Sequence, residues 1–213
     1  MSPNSVRQKT AHHEATRERI VATAWELARE QGLTGFSLRD LGVRVGMKVP
    51  SLFVYFDGKN ALFDAMFAEG WAAWFTRRDG RRWPPRTRPR ARVAAMTRAF
   101  VEFAVEDPMR YQLLATRVVP GFVPSEESMA ANVADQRYWM DELAAIGVED
   151  VEAAWDLFTA VTAGLLSQQF ANEPGGKRWT RRLPELTDLL CDHFGLPADP
   201  DTPARAGDRN TEG

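Results

Sequence analysis

Three short amphipathic segments follow one another between residues 16 and 63, and their spacing constrains the fold more than any other feature of the chain. Gly32 favours the end of the first helix, since glycine tolerates the left-handed conformation that ends helices. Ser37 with Asp40 predicts a capping box at the start of the second helix, and Pro50 suits the first turn of the third. The three helices are expected to share a core built from Ile20, Ala24, Leu27, Phe36, Leu41, Val45, Leu52 and Phe56.

The rest of the chain alternates long amphipathic stretches with Pro and Gly breaks, and none of it shows the alternation of a strand. The predicted fold is therefore all-α, with about nine helices. We expect a first domain at 14–60, a second at 61–195, and flexible tails at 1–13 and 196–213. Helices after the first domain are predicted at about 59–75, 90–106, 108–117, 125–146, 150–172 and 178–194.

Charge is distributed unevenly along the chain, although the net charge is only −2. Residues 1–60 carry nine Lys or Arg against six Asp or Glu, whereas residues 93–213 carry ten against twenty. Residues 77–92 contain eight Arg and one Asp. This asymmetry indicates an N-terminal part that faces nucleic acid.

Several classes of protein are disfavoured by what the sequence lacks. The single cysteine, Cys191, excludes an intramolecular disulfide and is typical of the reducing cytoplasm. No signal-peptide core and no apolar run of about 18 residues is found, so neither secretion nor a membrane span is expected. The lack of a glycine-rich phosphate loop, a GxSxG motif or paired His ligands argues against an enzyme, and no metal or cofactor is expected.

The short third helix lies where a helix-turn-helix places the helix that enters the major groove of DNA. Once the shared core is assigned, Lys48, Ser51, Phe53, Val54 and Tyr55 are left facing outward. Exposed apolar groups are costly unless a partner covers them. DNA offers phosphates to Lys and Tyr and thymine methyl groups to apolar side chains. The alternatives are that Phe53 is a core residue, with Tyr55 packed beside it, and that Arg39 and Lys48 are solvated surface charges.

The first 48 or so residues from Thr16 resemble, without a gap, the DNA-binding domain of the TetR family. The matching stretches are TRERI at 16–20, SLRDL at 37–41, VGM at 45–47, PSLFVYF at 50–56 and GKNAL at 58–62. The resemblance implies a helix-turn-helix domain followed by a helical domain for ligand binding and dimerisation. It implies a cytoplasmic transcriptional regulator, usually a repressor, that binds a pseudo-palindromic DNA operator as a homodimer. A small hydrophobic or aromatic ligand is expected to release it.

The resemblance also assigns residues to the DNA interface. The positions carried over are Ser37, Arg39, Lys48, Val49, Ser51, Phe53, Val54, Tyr55 and Lys59. Tyr55 and Lys59 match positions that hold phosphates, and Ser37 matches one that caps a helix and contacts phosphate. Two departures stand out: Phe53 replaces a more usual Tyr, and Val49-Pro50 replaces the commoner Lys-Gly.

The helical body is expected to contain the effector pocket and the dimer interface. Pocket candidates are Trp74, Phe75, Phe100, Phe103, Tyr111, Leu114, Trp139 and Phe158, although aromatic residues at helical spacing also suit a plain core. Interface candidates on the last two long helices are Trp155, Thr162, Leu165, Leu166, Gln169, Leu183, Leu186 and Leu190. Two matters stay open. The chain is alternatively a constitutive or partner-controlled DNA-binding protein, and the Arg-rich loop 77–92 either contacts DNA or an anionic effector or is solvated.

Overall fold

The computed structural model describes residues 3–200, and these residues form helices without any strand. The nine α-helices are α1 Pro3–Gln31, α2 Leu38–Val45, α3 Val49–Leu52, α4 Gly58–Asp79, α5 Pro89–Glu106, α6 Pro108–Ala115, α7 Glu126–Ala145, α8 Val151–Asn172 and α9 Leu183–His193. A short 3-10 helix at Thr180–Arg182 precedes α9. The prediction of an all-α fold with about nine helices is confirmed for this part of the chain.

The chain divides into two compact units. The first comprises the described residues up to Asp79 together with Phe103–Ala134, and the second comprises Gly80–Glu102 and the described residues from Asp135 onward. The first unit is larger than the domain expected at 14–60, because it also contains α4 and α6.

The three N-terminal helices pack around the core that the sequence indicates. Ile20, Ala24 and Leu41 have no exposed surface, whereas Val45 is half-buried. The turn after α2 packs closely against Gly42 of that helix, where an added Cβ would lie 2.7 Å from the carbonyl oxygen of Met47. This close approach of the backbone sets the position of α3 relative to α2.

Polar contacts join α1 to α4 and α6 within the first unit. The indole Nε1 of Trp25 donates to Glu69 at 2.6 Å, and Arg29 Nη2 donates to Asp107 Oδ2 at 2.6 Å. The guanidinium of Arg110 lies over the Trp25 ring at 5.2 Å. The helix-turn-helix is therefore attached to the helices that follow it by directed contacts as well as by apolar packing.

The second unit has its own apolar core. It is formed by Val93, Leu143, Val148, Ala154, Phe158, Leu190, Cys191 and Leu196. Asp199 accepts hydrogen bonds from the backbone N–H groups of Arg90 and Ala91 at 3.1 and 2.9 Å, and so caps the first turn of α5. Residues 196–199 were expected to belong to a flexible tail, but Leu196 is buried and Asp199 holds a helix end. Residues 201–213 lie outside the described residues.

Three helix boundaries differ from those expected. α1 begins at Pro3 rather than Glu14, since no Gly or Pro interrupts it before Gly32 and Pro is favoured at the first helical position. α3 ends at Leu52 rather than Phe56, because the N–H groups of Tyr55 and Phe56 turn back to the Leu52 carbonyl. The helix expected at 178–194 is divided into the 3-10 turn and α9, whose first turn contains Pro184.

Candidate functional site

Exposed apolar side chains lie at the end of α3 and in the turn after it, which together with Lys48 form the recognition segment, residues 48–56. Phe53 and Val54 are 52% and 68% exposed, while the neighbouring Leu52 is buried in the helix-turn-helix core. Phe53 is therefore a surface residue and not part of the core. Val43 on α2 is 78% exposed as well, and the sequence reading did not single it out. Exposure of these three apolar side chains to water is unfavourable unless a partner covers them.

Polar and cationic side chains accompany this apolar surface. Arg39, Lys48 and Ser51 are exposed, and Val49 is half-buried. Neither Arg39 nor Lys48 makes an ion pair within the part of the chain that the structure describes. Arg39 also attracts Asp40 electrostatically, which contributes to the lowered pKa of that carboxyl. Both cations are exposed and remain available to an anionic partner.

Ser37 performs the capping role that its position predicts. Its Oγ accepts a hydrogen bond from Asp40 N at 3.2 Å, and its own N–H donates to Asp40 Oδ2 at 2.8 Å. Hydrogen bonds from the Ser37 side chain and backbone hold the pKa of Asp40 below its ordinary value. The exposed first turn of α2 is thus fixed by a complete capping box.

Tyr55 has a partner that the sequence reading missed. Its ring stacks on that of His13, with 4.6 Å between ring centroids and 22° between ring planes. His13 belongs to the segment expected to be a flexible arm, which α1 includes. The uninterrupted helix-forming sequence before Gly32 was the available signal, because a longer α1 brings His13 into the helix-turn-helix.

Lys59 is placed differently from the prediction that it holds a DNA phosphate. Its ammonium donates to the backbone carbonyl of Phe36 and lies over the Phe36 and Phe63 rings, 4.5 and 5.3 Å from their centroids. Burial lowers the pKa of Lys59. The side chain is turned inward because the carbonyl and the two ring faces attract it there, so it fastens α4 to the loop before α2.

The residues expected to form an effector pocket are mostly packed as core. In the first unit Trp74, Phe103 and Tyr111 are buried, and the Trp74 and Phe103 rings are 5.4 Å apart. Phe75 is half-buried with the guanidinium of Arg78 over its ring. In the second unit Phe158 is buried, whereas Phe100 and Trp139 are half-buried. Leu114 lines a cavity of about 260 Å³ in the first unit, and Trp139 lines one of only about 10 Å³.

An apolar cavity of about 260 Å³ lies in the first unit, at the end of α6, the following loop and the start of α7. We call it the loop cavity; its lining residues are Leu113, Leu114, Ala115, Thr116, Arg117, Val119, Phe122, Val123, Pro124 and Met129. All ten come from one stretch of 17 positions, 113–129. One contiguous stretch of chain, the end of α6, the loop after it and the start of α7, therefore builds this cavity.

The loop around this cavity is attached to the first two turns of α4. Asn60 Nδ2 donates to the carbonyl of Gly121 at 3.3 Å, and the Phe63 and Phe122 rings are 5.6 Å apart. Asp64 accepts from the N–H and the hydroxyl of Ser125 at 2.7 and 2.8 Å. These contacts connect the cavity wall to the helix that directly follows the recognition segment.

A second, wider groove of about 830 Å³ is bounded by α1, α4, α6 and α7 within the first unit. Its charged lining consists of Glu14, Glu18, Glu26, Asp64, Glu69, Glu127, Arg17, Arg29 and Arg110. Such a groove is a poor match for the hydrophobic effector that the sequence led us to expect.

Five residues expected at the dimer interface are buried inside their own unit, namely Leu165, Leu166, Gln169, Leu183 and Leu190. Gln169 is the clearest case, because its amide oxygen accepts from the backbone N–H groups of Trp179 and Thr180 at 3.0 and 3.3 Å. Its amide nitrogen donates to the carbonyl of Glu173. The Gln169 side chain therefore joins the end of α8 to the 3-10 turn. The other three expected interface residues, Trp155, Thr162 and Leu186, are half-buried.

The arginine-rich loop forms ion pairs with the rest of the protein. Arg77 pairs with Glu106 in the first unit. In the second unit the pairs are Arg81–Glu102, Arg86–Glu142, Arg90–Asp192 and Arg92–Glu142, with N–O distances of 2.6 to 3.0 Å. Burial alone raises the pKa of Glu142, but hydrogen bonds from Arg92 and Arg86 outweigh it and the pKa is lowered overall. Most arginines of residues 77–92 thus form ion pairs within the protein. The sequence had led us to expect contacts with DNA, contacts with an anionic effector, or solvation.

Residues 3–200 contain no group of three or more His, Cys, Asp and Glu side chains arranged to hold a metal ion. None of their helices is both long and apolar enough to cross a membrane.

Comparison with known proteins connects the N-terminal helices to one family. The family model described as bacterial regulatory proteins, tetR family, matches residues 20–66. The class C tetracycline repressor of Escherichia coli is 40% identical over 50 residues, which is 24% of this chain and 23% of the repressor. The matched part thus spans about a quarter of that relative, and the family-model match at 20–66 includes the recognition segment.

Solved structures show that the likeness of fold extends over most of the chain. The regulatory protein SCO4313 has a TM-score of 0.69 at 19% identity, covering 86% of this chain and 98% of that one. A TetR variant from Acinetobacter baumannii AYE, in complex with minocycline, has a TM-score of 0.60 at 19% identity, covering 84% and 95%. The helix-turn-helix at residues 20–66 thus matches the TetR family of bacterial regulatory proteins, and the chain shares its fold over most of its length with solved structures that include a TetR protein.

Proposed function

We propose that this chain is a transcriptional repressor that binds a pseudo-palindromic operator as a homodimer and is released by a small apolar ligand. In a helix-turn-helix dimer the two recognition helices enter successive major grooves, about 34–36 Å apart. The recognition segment is the DNA-reading surface, and Arg39 and Lys48 supply contacts to phosphate.

The observation that carries the DNA-binding proposal is the exposure of Phe53 and Val54 together with exposed cations that make no ion pair in the described chain. Apolar side chains in the major groove meet thymine methyl groups, and cations neutralise phosphates. Tyr55, held by His13, directs its hydroxyl toward the backbone of the DNA. Lys59 acts indirectly, by fixing the start of α4 against the carbonyl of Phe36.

The proposed dimer surface is the exposed side of α8 and α9. Leu189 on α9 is 64% exposed, and Leu157 on α8 is exposed as well. Exposed small residues continue the α8 face at Ala160, Ala163, Gly164 and Ser167. Small side chains let two helices approach closely, so this face suits packing against a second copy of the chain. It replaces the buried leucines as the proposed contact.

Release by a ligand is supported by the attachment of the loop cavity to α4. A ligand that separates the Phe122 ring from Phe63 changes the contacts of the two turns that follow the recognition segment. The ligand shifts the population toward a dimer that no longer matches the operator, provided that it binds the two states with different affinity. The minocycline complex of the TetR relative is an instance of a similar fold that binds a small molecule.

A second candidate is a constitutive or partner-controlled DNA-binding protein without a small-molecule effector. The observation that favours it is the packing of Trp74, Phe103, Tyr111 and Phe158 as buried core residues rather than as a pocket wall. The loop cavity distinguishes the two candidates, because a constitutive protein has no use for an apolar cavity joined to the helix after its recognition segment.

Fluorescence anisotropy tests the proposed function directly. The purified full chain is titrated into labelled duplexes that tile the DNA upstream of its own gene, with a random duplex as control, at near-physiological salt. We expect saturable binding to one duplex, with two chains per site and an affinity at least ~10³ times that for the control. Equal affinity for every duplex, or one chain per site, contradicts the proposal of a specific dimeric regulator.

A further inference from the structure

We infer that the loop cavity binds a hydrophobic monocarboxylate, with its tail in the cavity and its carboxylate on Arg117. This inference rests on the proposed function, because it names the chemical class of the ligand that releases the DNA. Three properties of the cavity carry it: its apolar lining, its single charged residue and its size.

The lining of the loop cavity selects an apolar tail. Leu113 and Leu114 are buried, and Phe122 and Met129 are half-buried against the same space. Val123, at 81% exposure, adds apolar surface that the protein leaves in water. An apolar tail that fills the space covers this surface and removes its own surface from water at the same time.

Arg117 gives the cavity its charge preference. It is the one charged residue among the ten that line the cavity, it is exposed, and within the described residues it makes no ion pair. A guanidinium holds a carboxylate by two parallel hydrogen bonds, whereas it repels an ammonium. Since Arg117 is exposed, the carboxylate stays partly hydrated and its charge is not buried at great cost.

The volume of the cavity limits the length of the tail. A volume of about 260 Å³ is slightly below the range of roughly 300–1,000 Å³ that suits drug-sized ligands. Because one water molecule occupies roughly 30 Å³ in the liquid, the space corresponds to about nine water-sized groups. The ligand is therefore small, and a chain of about eight carbons fills the cavity.

Isothermal titration calorimetry of the full chain, without DNA, tests the inference with octanoate as the probe. Octanol is the uncharged control, octylammonium the control of opposite charge, and butyrate and hexanoate vary the tail. We expect octanoate to bind about tenfold or more tightly than octanol, since a hydrogen bond to a charged group is worth at least that factor. Each added methylene is expected to tighten binding about fourfold up to eight carbons.

Three variants assign the binding to this cavity. Arg117→Gln is expected to weaken octanoate about tenfold and to leave octanol unchanged. Arg137→Gln is the matched control, because Arg137 is an exposed arginine on α7 that likewise makes no ion pair in the described chain. Val119→Trp fills the cavity and is expected to abolish the binding of both octanoate and octanol, while circular dichroism checks that the variants remain folded.

The inference is overturned by equal binding of octanoate to the Arg117→Gln variant, by octanol that binds as tightly as octanoate, or by no octanoate binding to the unaltered chain. A second titration, of the operator complex with octanoate, separates this inference from the proposed function. Octanoate that binds the free chain but leaves the DNA complex intact supports the ligand class and contradicts release by ligand. Specific DNA binding without any affinity for octanoate leaves the regulator in place and overturns the ligand class.

Discussion

Two segments of this chain are rich in cationic side chains, and they differ in what those side chains contact. Around the recognition segment, Arg39 and Lys48 are exposed and make no ion pair in the described chain. In the arginine-rich loop, by contrast, Arg86 and Arg92 both pair with Glu142. The cations near the recognition segment face solvent, whereas most arginines of the arginine-rich loop form ion pairs within the protein.

The difference shows why a basic run in a sequence is a weak indicator of nucleic-acid binding. A cation that already pairs with a carboxylate must lose that partner before it contacts a phosphate, and the gain in free energy is correspondingly small. Residues 77–92 contain more arginine than the helix-turn-helix, yet most of these arginines pair with acidic residues that lie far away in sequence, up to Asp192. A cation without a partner in the folded protein is therefore more readily available to a phosphate than one that is already paired.

The largest expected effect concerns the paired segment. Glu142 and Arg92 have side chains only 10% and 11% exposed, so the loss of one partner leaves a nearly buried charge without compensation. Glu142→Gln is expected to lower the free energy of unfolding by about 3–5 kcal/mol. Urea unfolding followed by circular dichroism measures this loss. Glu149→Gln is the control, since Glu149 is exposed and unpaired in the described chain.

The stabilisation that Glu142 provides is expected to depend on pH. The pKa of Glu142 is lowered from its ordinary value of 4.5, so its contribution to stability is complete above about pH 4.5 and is lost as the pH falls through the lowered value. The difference in unfolding free energy between the unaltered chain and Glu142→Gln is therefore expected to shrink in acid. A difference that stays constant down to pH 3 contradicts the pairing.

The next largest effect concerns the unpaired cations. Lys48→Ala and Arg39→Ala are each expected to weaken DNA binding about tenfold on every sequence, because each removes a charge-assisted contact to phosphate. Each change also reduces the slope of log affinity against log salt by about 0.9. Anisotropy titrations at several salt concentrations measure both quantities.

The matched control for these two variants is Arg82→Ala. Arg82 is the exposed residue of the arginine-rich loop that makes no ion pair within residues 3–200. We expect its removal to leave both the affinity and the salt slope unchanged. A loss equal to that of Lys48→Ala assigns the loop to the DNA interface and removes the distinction between the two segments.

The helix-turn-helix was predictable from the sequence because its signals are local. The helix end at Gly32, the capping box at Ser37 and the buried Leu41 of α2 all follow from neighbouring residues, and the structure has each of them. The exposure of Phe53 and Val54 follows from the same pattern, since the core positions on either side are already assigned. When capping residues and the apolar pattern agree, few other helix boundaries are compatible with the sequence.

The body of the protein was less predictable because its determinants are distant in sequence. Aromatic residues at helical spacing fit a pocket wall and a packed core equally well, and Trp74 and Phe103 form a core. The loop cavity lies instead in a Pro- and Gly-containing break, where no periodicity marks it. Likewise Gln169 occupies a position typical of an interface, but its partners are backbone groups ten residues away.

The smallest expected effect is on DNA affinity and concerns His13, a residue of α1 whose ring stacks on Tyr55 of the recognition segment. His13→Ala removes the ring that stacks on Tyr55, and an aromatic pair is worth about 0.5–1.5 kcal/mol, so DNA affinity is expected to fall about threefold. His12→Ala is the control, since His12 is an equally exposed neighbour without a ring contact in the described chain. His13→Phe restores a ring without a titratable nitrogen. Recovery of affinity in His13→Phe shows that His13 positions Tyr55, and a loss as large as that of His13→Ala shows that the imidazole itself contacts the DNA. An affinity that none of these changes alters removes α1 from the interface and leaves the recognition segment as the part that binds DNA.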